Sequence, residues 1–483
     1  MESYQLDKQV SLLSKPREVV MIILFQATRF SAPHYFLVWV IASFGFCHDG
    51  TALRCQSSQS TDPRQQSAGW PDLATPNYVI IYLDDAGYGD FGCYGHPTIR
   101  TPNIDRMASQ GMKFTQFYTP SPACSASRYS LLTGRYANRS GFPWVIMPDS
   151  TQGIDVDEIT VAEALKPMGY RTACFGKWHL GHQFEHLPLQ NGFDEYFGIP
   201  YSNDMQQPSH PKLPLIEGNE VVEYEPDQAL LTKRLTGRAV EFIEQHQDMP
   251  FLLYLAHPMP HVPLHASEQF RNRSKRGLYG DVIEELDWSV GEILRAIHNA
   301  KLDERTLVIV TSDNGPWIIK QTAGGSAGLL RDGKGSTWEG GVRVPCIAQW
   351  VSVIKAGSVC QEPLATIDLL PTLVKLAGGQ LPSERPMDGR DMSKCFMGEA
   401  LPERPIFFFG PRNTIQAVRK GPWKLHVQTA SQTGVKHFDG RVPLLFHLNH
   451  DPSENIDLAA THPAVVSELT QLIEGYAADA SEK

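Results

Sequence analysis

A cysteine and an arginine one helical turn apart open the most chemically suggestive segment of this 483-residue chain. The segment reads Cys124-Ser-Ala-Ser-Arg128 and continues with Tyr-Ser-Leu-Leu-Thr-Gly-Arg135. A helix that begins at Cys124 directs its positive end at this residue and lowers the energy of negative charge there. Arg128 then lies on the same helix face and reaches the same position. The spacing predicts anionic or nucleophilic chemistry at Cys124, and the alternative is a buried, inert thiol.

Two pairs of oxygen-bearing side chains also suggest chemistry. Asp84-Asp85 and Asp313-Asn314 each follow a hydrophobic, β-rich run. Adjacent carboxylates repel each other, so their clustering is costly unless a cation lies between them. Ligation by oxygen alone favours Ca²⁺ or Mg²⁺ over zinc. Either pair alone is more typical of a turn, whereas the two pairs together predict a metal site.

Four further residues offer positive charge or proton transfer. They are Lys177 and His179 in Phe-Gly-Lys-Trp-His-Leu-Gly, His261 in a proline-rich segment, and Lys334 after a glycine-rich stretch. Taken singly, each lysine is more typical of a solvated surface and each histidine of a hydrogen-bonded core. Together they would surround a tetrahedral oxyanion with cations and supply imidazoles for proton transfer.

Buried parallel strands that alternate with helices can bring these residues together. Continuous hydrophobic runs that end abruptly in polar residues indicate such strands. Amphipathic stretches over 229–246 and 281–299 predict helices between them. Open α/β sheets place their sites at the carboxyl ends of strands, so we expect the motifs to converge at one edge. The predicted strands are Tyr78–Leu83, Tyr170–Phe175, Phe251–Ala256 and Thr306–Thr311.

A smaller C-terminal unit follows a proline-punctuated stretch near residues 380–405. We predict a catalytic domain over 75–383 and a C-terminal subdomain over 384–483, made of short antiparallel strands and a closing helix. The predicted strands are Ile406–Phe409, Gln416–Arg419, Trp423–Val427 and Leu444–Leu448, and the helix is Pro463–Tyr476.

The first 74 residues differ from the remainder. The apolar run Tyr35–Cys47 has the length of a signal-peptide core and is short for a membrane span. We predict a leader over 1–52 and a Ser/Gln-rich linker over 53–74. The leader predicts export to a periplasmic, extracellular or lysosome-like compartment, and the alternative is an uncleaved N-terminal anchor. No integral membrane domain is predicted.

Composition narrows the class of protein. A hydrophobic content of 42% is ordinary for a soluble globular protein, and a net charge of -10 argues against nucleic-acid binding. The eight cysteines show neither a CxxC pair nor zinc-like spacing, and they leave disulfide pairing open. The oligomeric state is equally open.

Several blocks of the chain, in order, resemble those of the type I, formylglycine-dependent sulfatases, of arylsulfatase type. Coverage runs from about Thr75 to the end, although Ala126 stands where most members have proline. The blocks are Leu83–Asp90, Thr101–Asp105, Cys124–Arg135, Gly176–Gly181, Gly192–Asp194, Ser312–Gly315, Gly333–Pro345 and Leu445–Glu454. The resemblance implies an alkaline-phosphatase-like fold, in which helices sandwich a mixed, mostly parallel sheet beside a smaller C-terminal domain.

The resemblance also implies roles for individual residues. Cys124 would be oxidised to formylglycine by a formylglycine-generating enzyme. Ca²⁺, or Mg²⁺ in its place, would be held by residue 124 with Asp84, Asp85, Asp313 and Asn314. The catalytic set would be Cys124, Arg128, Lys177, His179, His261, Asp313 and Lys334. Substrate would be bound by Lys177, Ser202, His261 and Lys334.

In the implied mechanism, residue 124 is a hydrated aldehyde with two hydroxyl groups. One hydroxyl, deprotonated with help from Asp313, attacks sulfur, while His261 and Lys334 protonate the leaving alcohol. His179 removes the proton of the second hydroxyl, so the carbonyl reforms and sulfate leaves. A serine would stop at a stable sulfate ester.

The function predicted from the sequence is hydrolysis of a sulfate ester, with a sulfated saccharide as substrate. One alternative is a phosphate or phosphonate ester hydrolase of the same superfamily, because one fold hosts both chemistries. Another is a non-catalytic binder of sulfated glycans. Residues that could select the leaving alcohol include Asn203, Asp204, His210 and Arg412.

Overall fold

The computed structural model describes residues 75–382 and 385–481. The predicted leader and linker lie outside the described residues, as does the predicted domain boundary at 383/384, and these assignments stay predictions. Among the described residues, no helix has the length and apolar character needed to cross a membrane.

A large mixed sheet forms the centre of the molecule. Its strand order is β10-β2-β9-β8-β1-β7-β3-β4-β5-β6, and β11 pairs with β2. The five neighbours β8, β1, β7, β3 and β4 are parallel, while β9, β5 and β6 pair antiparallel with the strands beside them. The strands are β1 (Asn77–Leu83), β2 (Met112–Tyr118), β3 (Arg171–Lys177), β4 (Glu195–Ile199), β5 (Pro214–Glu217), β6 (Glu220–Tyr224), β7 (Phe251–Ala256), β8 (Thr306–Ser312), β9 (Arg343–Gln349), β10 (Ser358–Cys360) and β11 (Leu364–Ala365).

Helices cover both faces of this sheet. Alternate residues of β1 enter two separate hydrophobic cores: Ile80 joins the core that includes Leu131 and Leu370, whereas Ile81 joins the one that includes Leu235 and Leu286. This period of two explains why the run is apolar throughout. The helices are α1 (Pro102–Gln110), α2 (Cys124–Thr133), α3 (Val161–Leu165), α4 (Leu231–Gln245), α5 (Leu278–Asn299), α6 (Glu339–Val342), α7 (Leu369–Leu376), α8 (Ser393–Phe396) and α9 (Pro463–Ser481).

A second, four-stranded antiparallel sheet with order β12-β13-β14-β15 packs against α9. The α/β class and the antiparallel C-terminal sheet with its closing helix are confirmed, and the predicted strand and helix bounds shift by a few residues. One such shift makes Lys177 the last residue of β3 instead of a residue beyond it. The four strands are β12 (Pro405–Phe409), β13 (Ile415–Lys420), β14 (Trp423–His426) and β15 (Leu444–His447).

A buried charged cluster joins this small sheet to the segment that precedes β9. Lys424 Nζ donates to Glu339 Oε1 at 2.8 Å and to the Thr337 carbonyl at 2.8 Å, and it lies 3.2 Å from Glu454 Oε1. Glu454 Oε2 accepts from the Glu339 amide at 2.6 Å, and its other oxygen contacts His426. We call Glu339, Arg343, Lys424, His426 and Glu454 the interface cluster. It fixes the backbone a few residues after Lys334.

The six described cysteines all carry free thiols. Cys360 in β10 and Cys395 in α8 are buried and lie in hydrogen-bonding contact with each other. Cys47 and Cys55 lie outside the described residues.

Candidate active site

The carboxyl ends of four neighbouring parallel strands supply most of the predicted site residues. Because β8, β1, β7 and β3 lie side by side, the residues that follow them meet at one edge of the sheet. Asp313-Asn314 follow β8, Asp84-Asp85 follow β1, His261 lies beyond β7, and Lys177 and His179 lie at the end of β3. Lys334 comes from the connection between β8 and β9, and Ser202 follows β4.

Helix α2 brings Cys124 to the same edge. All ten of its residues are buried, as expected for a helix enclosed on every side. No side chain caps its first turn, where the Ala126 N–H donates to the Trp144 carbonyl at 3.3 Å, and Cys124 is the first residue at this positive end of the helix. The helix ends at Gly134, whose φ of 68° is in the left-handed region that glycine adopts most easily.

Three carboxylates and three cations pair within the site. Lys177 Nζ lies 2.5 Å from Asp84 Oδ2, and Lys334 Nζ lies 2.7 Å from Asp85 Oδ1. Arg128 donates to Asp313 Oδ2 from Nη2 at 2.9 Å. The Asp85 amide donates to Asp313 Oδ1 at 3.1 Å, which links the two acidic segments. All these side chains are buried, and their formal charges cancel. We call the set, with Cys124, Asn314 and His261, the active-site cluster.

The carboxylates of this cluster are held at unequal energies. Burial and the Asp84 charge raise the pKa of Asp313 to about 7, against the effect of Arg128. Burial also raises the pKa of Asp85, whereas Lys177 and Arg128 outweigh burial at Asp84 and lower its pKa. Burial is the main cause of the two raised pKa values, and the charge of Asp84 adds to it, so a cation bound here would stabilise the carboxylates.

The Cys124 thiol lies within this charged set, 3.6 Å from Asp84 Oδ1 and 3.4 Å from Lys334 Nζ. Burial raises its pKa to about 12, although Lys177 and Lys334 act in the opposite direction. Desolvation therefore outweighs the nearby lysines, and the encoded thiol stays neutral. The effect of the helix end on negative charge at this position stays a prediction.

Both predicted histidines are neutral. His179 donates from Nε2 to the Ile146 carbonyl at 2.9 Å, and its buried Nδ1 has no partner. His261 donates from Nδ1 to the Val262 carbonyl at 2.6 Å, which leaves Nε2 facing Asp85 Oδ2 at 3.6 Å. Burial, with Lys177 beside His179 and Lys334 beside His261, lowers both pKa values well below the usual range. Each ring therefore keeps a lone pair that can accept a proton.

Comparison with known proteins assigns this arrangement. Residues 76–379 match the sulfatase family, and residues 401–482 match the C-terminal region of aryl-sulfatase. The chain belongs to the sulfatase family. It is therefore a sulfuric ester hydrolase, and its alkaline-phosphatase-like fold is confirmed.

Curated relatives cover most of the chain. Human arylsulfatase A is 40% identical over 84% of this chain and 88% of its own length. N-acetylgalactosamine-6-sulfatase of Rattus norvegicus is 37% identical over 85% of this chain and 86% of its own. Human steryl-sulfatase is 34% identical over 78% of this chain and 83% of its own length.

Solved structures give the same result. One, described under glycosaminoglycan metabolism by Bacteroides thetaiotaomicron, has a TM-score of 0.75 and 29% identity, and the match covers 83% of this chain and 99% of that one. A sulfatase from Pseudoalteromonas sp. has a TM-score of 0.75 and 28% identity, over 84% and 90% of the two chains.

The oxygen set of this sulfatase fits a metal ion. Asp84, Asp85, Cys124 and His261 each place one potential ligand atom within 4.8 Å of the others. Asn314 donates from Nδ2 to Asp85 Oδ1 at 2.7 Å, which leaves its buried Oδ1 without a partner. A buried acceptor with no donor, beside crowded carboxylates, is the environment that a hard cation satisfies.

Ser202 lies beside the active-site cluster. Its Oγ accepts from Lys177 Nζ at 3.1 Å and lies 3.5 Å from His261 Nδ1. Asn203 is buried and donates to Gln228 Oε1 and to the Pro263 carbonyl. Within the described part of the chain, the other three proposed selectivity residues make no contact with the active-site cluster: Asp204, His210 and Arg412.

Two residues at the site were missed by sequence reasoning. The Trp317 ring lies 5.1 Å from the His261 ring and 4.5 Å from Lys334 Nζ, measured from its centroid. Its Nε1 donates to Gln432 Oε1 at 2.6 Å. The position of Trp317, two residues after Gly315, was a usable signal. Nothing in the sequence around Gln432 connects it with a segment 115 residues away.

Proposed function

We propose that this sulfatase releases sulfate from sulfated saccharides through a formylglycine made from Cys124. The observation that carries the proposal is the position of the Cys124 thiol. It lies among the paired carboxylates and lysines, yet burial keeps it neutral and therefore poorly nucleophilic. A residue so placed serves the reaction better as a precursor than as a thiol.

Two groups would supply chemistry that the encoded side chains lack. The hydrated aldehyde would offer an oxygen nucleophile and a second hydroxyl through which the group regenerates. Ca²⁺, or Mg²⁺, would add Lewis-acid charge, with Asp84, Asp85, Asp313 and Asn314 as its protein ligands beside residue 124.

The protein's own residues would bind the sulfate group and move protons. Lys177 and Lys334 reach the cluster from opposite segments and are suited to hold sulfate oxygens, and Ser202 supports Lys177. Arg128 fixes Asp313 and also donates to the Lys177 carbonyl at 2.9 Å, so it sets the spacing of the nucleophile and the binding lysine.

Proton transfer is assigned to the two neutral histidines and to Lys334. His179 presents an unpartnered Nδ1 that can accept a proton from the second hydroxyl of residue 124. His261 and Lys334 lie together beside Asp85, and His261 would deliver a proton to the leaving alcohol once its free Nε2 has accepted that proton from Lys334. Asp313, whose pKa is raised to about 7, is suited to take the proton of the attacking hydroxyl.

A saccharide as the leaving group is supported by the relatives. Among curated relatives are N-acetylgalactosamine-6-sulfatases, and among structural neighbours is one solved with a neocarrahexaose. We further propose that the chain is exported through its N-terminal leader and receives formylglycine from a generating enzyme on the way.

Mass spectrometry of the tryptic peptide that contains residue 124 tests the modification. We expect an aldehyde in active protein and loss of turnover to the uncatalysed background in Cys124→Ala. Cys124→Ser should form product once at most, because serine has no second hydroxyl. Unmodified cysteine in fully active protein, or repeated turnover by the serine variant, would contradict the mechanism.

Substrate assays test the reaction class. Release of free sulfate from a panel of sulfated saccharides should exceed release from nitrophenyl sulfate. Faster turnover of nitrophenyl phosphate than of every sulfate ester would favour a phosphate or phosphonate hydrolase. Glycan binding without sulfate release by matured protein would favour a non-catalytic binder.

A further inference from the structure

Trp317 lies between the active-site cluster and solvent. Its half-buried ring contacts His261 and Lys334, the two residues proposed to attend the leaving alcohol. The hydrogen bond to Gln432 fixes the indole from the C-terminal side. The Gln432 side chain also packs against Gly335, where a Cβ atom would lie only 2.3 Å from its Nε2. The indole is therefore a fixed wall on the leaving-group side of the site.

An exposed lysine contacts the same ring. Lys320 Nζ lies 4.3 Å from the Trp317 ring centroid. The helical turn that carries Lys320, Ile318–Ala323, is held by Arg276, two residues before α5, which donates to the Thr322 carbonyl at 2.8 Å and to the Gly324 carbonyl at 2.9 Å. The backbone of Lys320 is thus anchored although its side chain is solvated.

Lys320 has no acidic partner among the described residues. Every salt bridge among these residues involves other cations, and Asp85, which lies beside Lys334 at the same ring, pairs with that lysine. Lys320 and Lys334 both lie within 4.5 Å of one ring centroid, so their nitrogens are at most twice that distance apart. Lys334 is paired with Asp85 at 2.7 Å, so Lys320 is the cation at this ring that has no carboxylate partner among the described residues.

We propose that Trp317 and Lys320 form a subsite for a second anionic group on the substrate. This inference rests on the proposed function and deepens it. One sulfate is bound at Lys177 and Lys334, and a second sulfate or carboxylate, about one sugar ring away, pairs with Lys320. The preferred substrate is therefore a multiply charged saccharide, and a saccharide with a single sulfate leaves Lys320 without a partner.

Direct binding tests this subsite without depending on turnover. The full chain with Cys124→Ala is titrated calorimetrically with two matched pairs of probes: glucosamine 6-sulfate with glucosamine 2-N,6-O-disulfate, and N-acetylgalactosamine 6-sulfate with its 4,6-disulfate. Lys320→Gln is then added to the same background. Lys355→Gln is the matched control, because Lys355 is also exposed but lies away from the active site. It follows β9, whose last residue, Gln349, pairs with Val308 near the amino end of β8, whereas the active site lies at the carboxyl end of β8.

In at least one pair, the disulfated member should bind more tightly, and Lys320→Gln should weaken that member about two- to fivefold, as expected for an exposed ion pair. The singly sulfated member should change less than twofold, and Lys320→Glu should enlarge the difference. Lys355→Gln should change nothing.

Three results would overturn the subsite: no preference for the disulfated member in either pair, equal weakening of both members by Lys320→Gln, or an equal effect of Lys355→Gln. Absence of sulfate release from any ester by the protein with residue 124 intact would instead refute the proposed function. The two failures are therefore read from separate experiments.

Discussion

The two buried charged clusters of this molecule differ in how completely their polar atoms are paired. The interface cluster satisfies its carboxylates completely: Glu339 accepts from Lys424, Tyr118 and Arg343, and Glu454 accepts from the Glu339 amide, Lys424 and His426. In the active-site cluster, Asn314 Oδ1 has no partner, and the pKa values of Asp85 and Asp313 are raised.

The pKa values of the carboxylates differ between the two clusters in the same way. Burial alone would raise the pKa of Glu339. The three cations Lys424, Arg343 and Arg419 outweigh burial and lower this pKa to about 2. In the active-site cluster, three carboxylates crowd one another in addition to their cations. Buried charges that are fully hydrogen-bonded and paired stabilise the fold. Buried carboxylates that crowd one another are instead stabilised when a ligand of opposite charge binds.

The largest expected effect is the response of the active-site cluster to metal. Chelation should lower turnover on the order of 10³-fold, and added Ca²⁺ should restore it and raise the melting temperature, because binding to the native state alone stabilises it. A double variant, Asp84→Asn with Asp85→Asn, should lose both responses. Glu339→Gln, in the interface cluster, should keep them, and a lost Ca²⁺ response in that variant would contradict the comparison.

Breaking the interface cluster should cost stability. Lys424→Met leaves Glu339 and Glu454 buried with fewer partners, and we expect a loss of about 3–5 kcal/mol in the free energy of unfolding. Urea denaturation measures it. Lys420→Met is the control, since Lys420 pairs with Glu468 at the surface and its removal should change stability very little. Equal effects of the two variants would show that burial of the cluster is unimportant.

The lowered pKa of Glu339 predicts a dependence of stability on pH. Its folded pKa of about 2 lies below the ordinary 4.5, so its contribution is fully present above pH 4.5 and is lost as the pH falls toward 2. The whole contribution amounts to about 3 kcal/mol. Between pH 5 and 3, Glu339→Gln should therefore lose less stability than the wild type in urea titrations. Parallel curves for the two proteins would refute this assignment.

The smallest effect is expected where the C-terminal unit touches the active site. Gln432→Leu removes the acceptor for Trp317 Nε1, and kcat/KM for nitrophenyl sulfate should fall about two- to tenfold, the value of one hydrogen bond. Gln432→Glu retains an acceptor and should stay close to the wild type. A change in melting temperature without a change in kcat/KM would assign Gln432 a purely structural role.

Sequence reasoning found the active-site cluster because its residues come directly after strongly hydrophobic strands. The strands β1 and β8 determine where the residues that directly follow them lie, namely Asp84, Asp85, Asp313 and Asn314. Because the carboxyl ends of parallel strands meet at the same edge of a sheet, these residues must lie close together. The resemblance to a known family supplied the remaining members, and the structure brings all of them together.

The interface cluster and Gln432 were not found. Lys424 lies in a short antiparallel strand and Glu454 in the loop after β15. In sequence, both are indistinguishable from surface residues, and their partners are 85 and 115 residues away. Strands β2 and β9 were missed for a related reason, since β2, with Lys113, Thr115 and Gln116, lacks a continuous apolar run. Such pairings depend on tertiary context, which local pattern does not encode.

The enclosure of α2 has a consequence for the synthesis of the protein. Cys124 is only 3% exposed, and α7, which packs against the later residues of α2, is encoded roughly 250 residues after it. At ordinary translation rates that length takes about 10–50 s to make. Any enzyme that modifies this residue must therefore act before the ribosome has made the segments that enclose α2. A folded chain that escaped it would keep its thiol permanently out of reach.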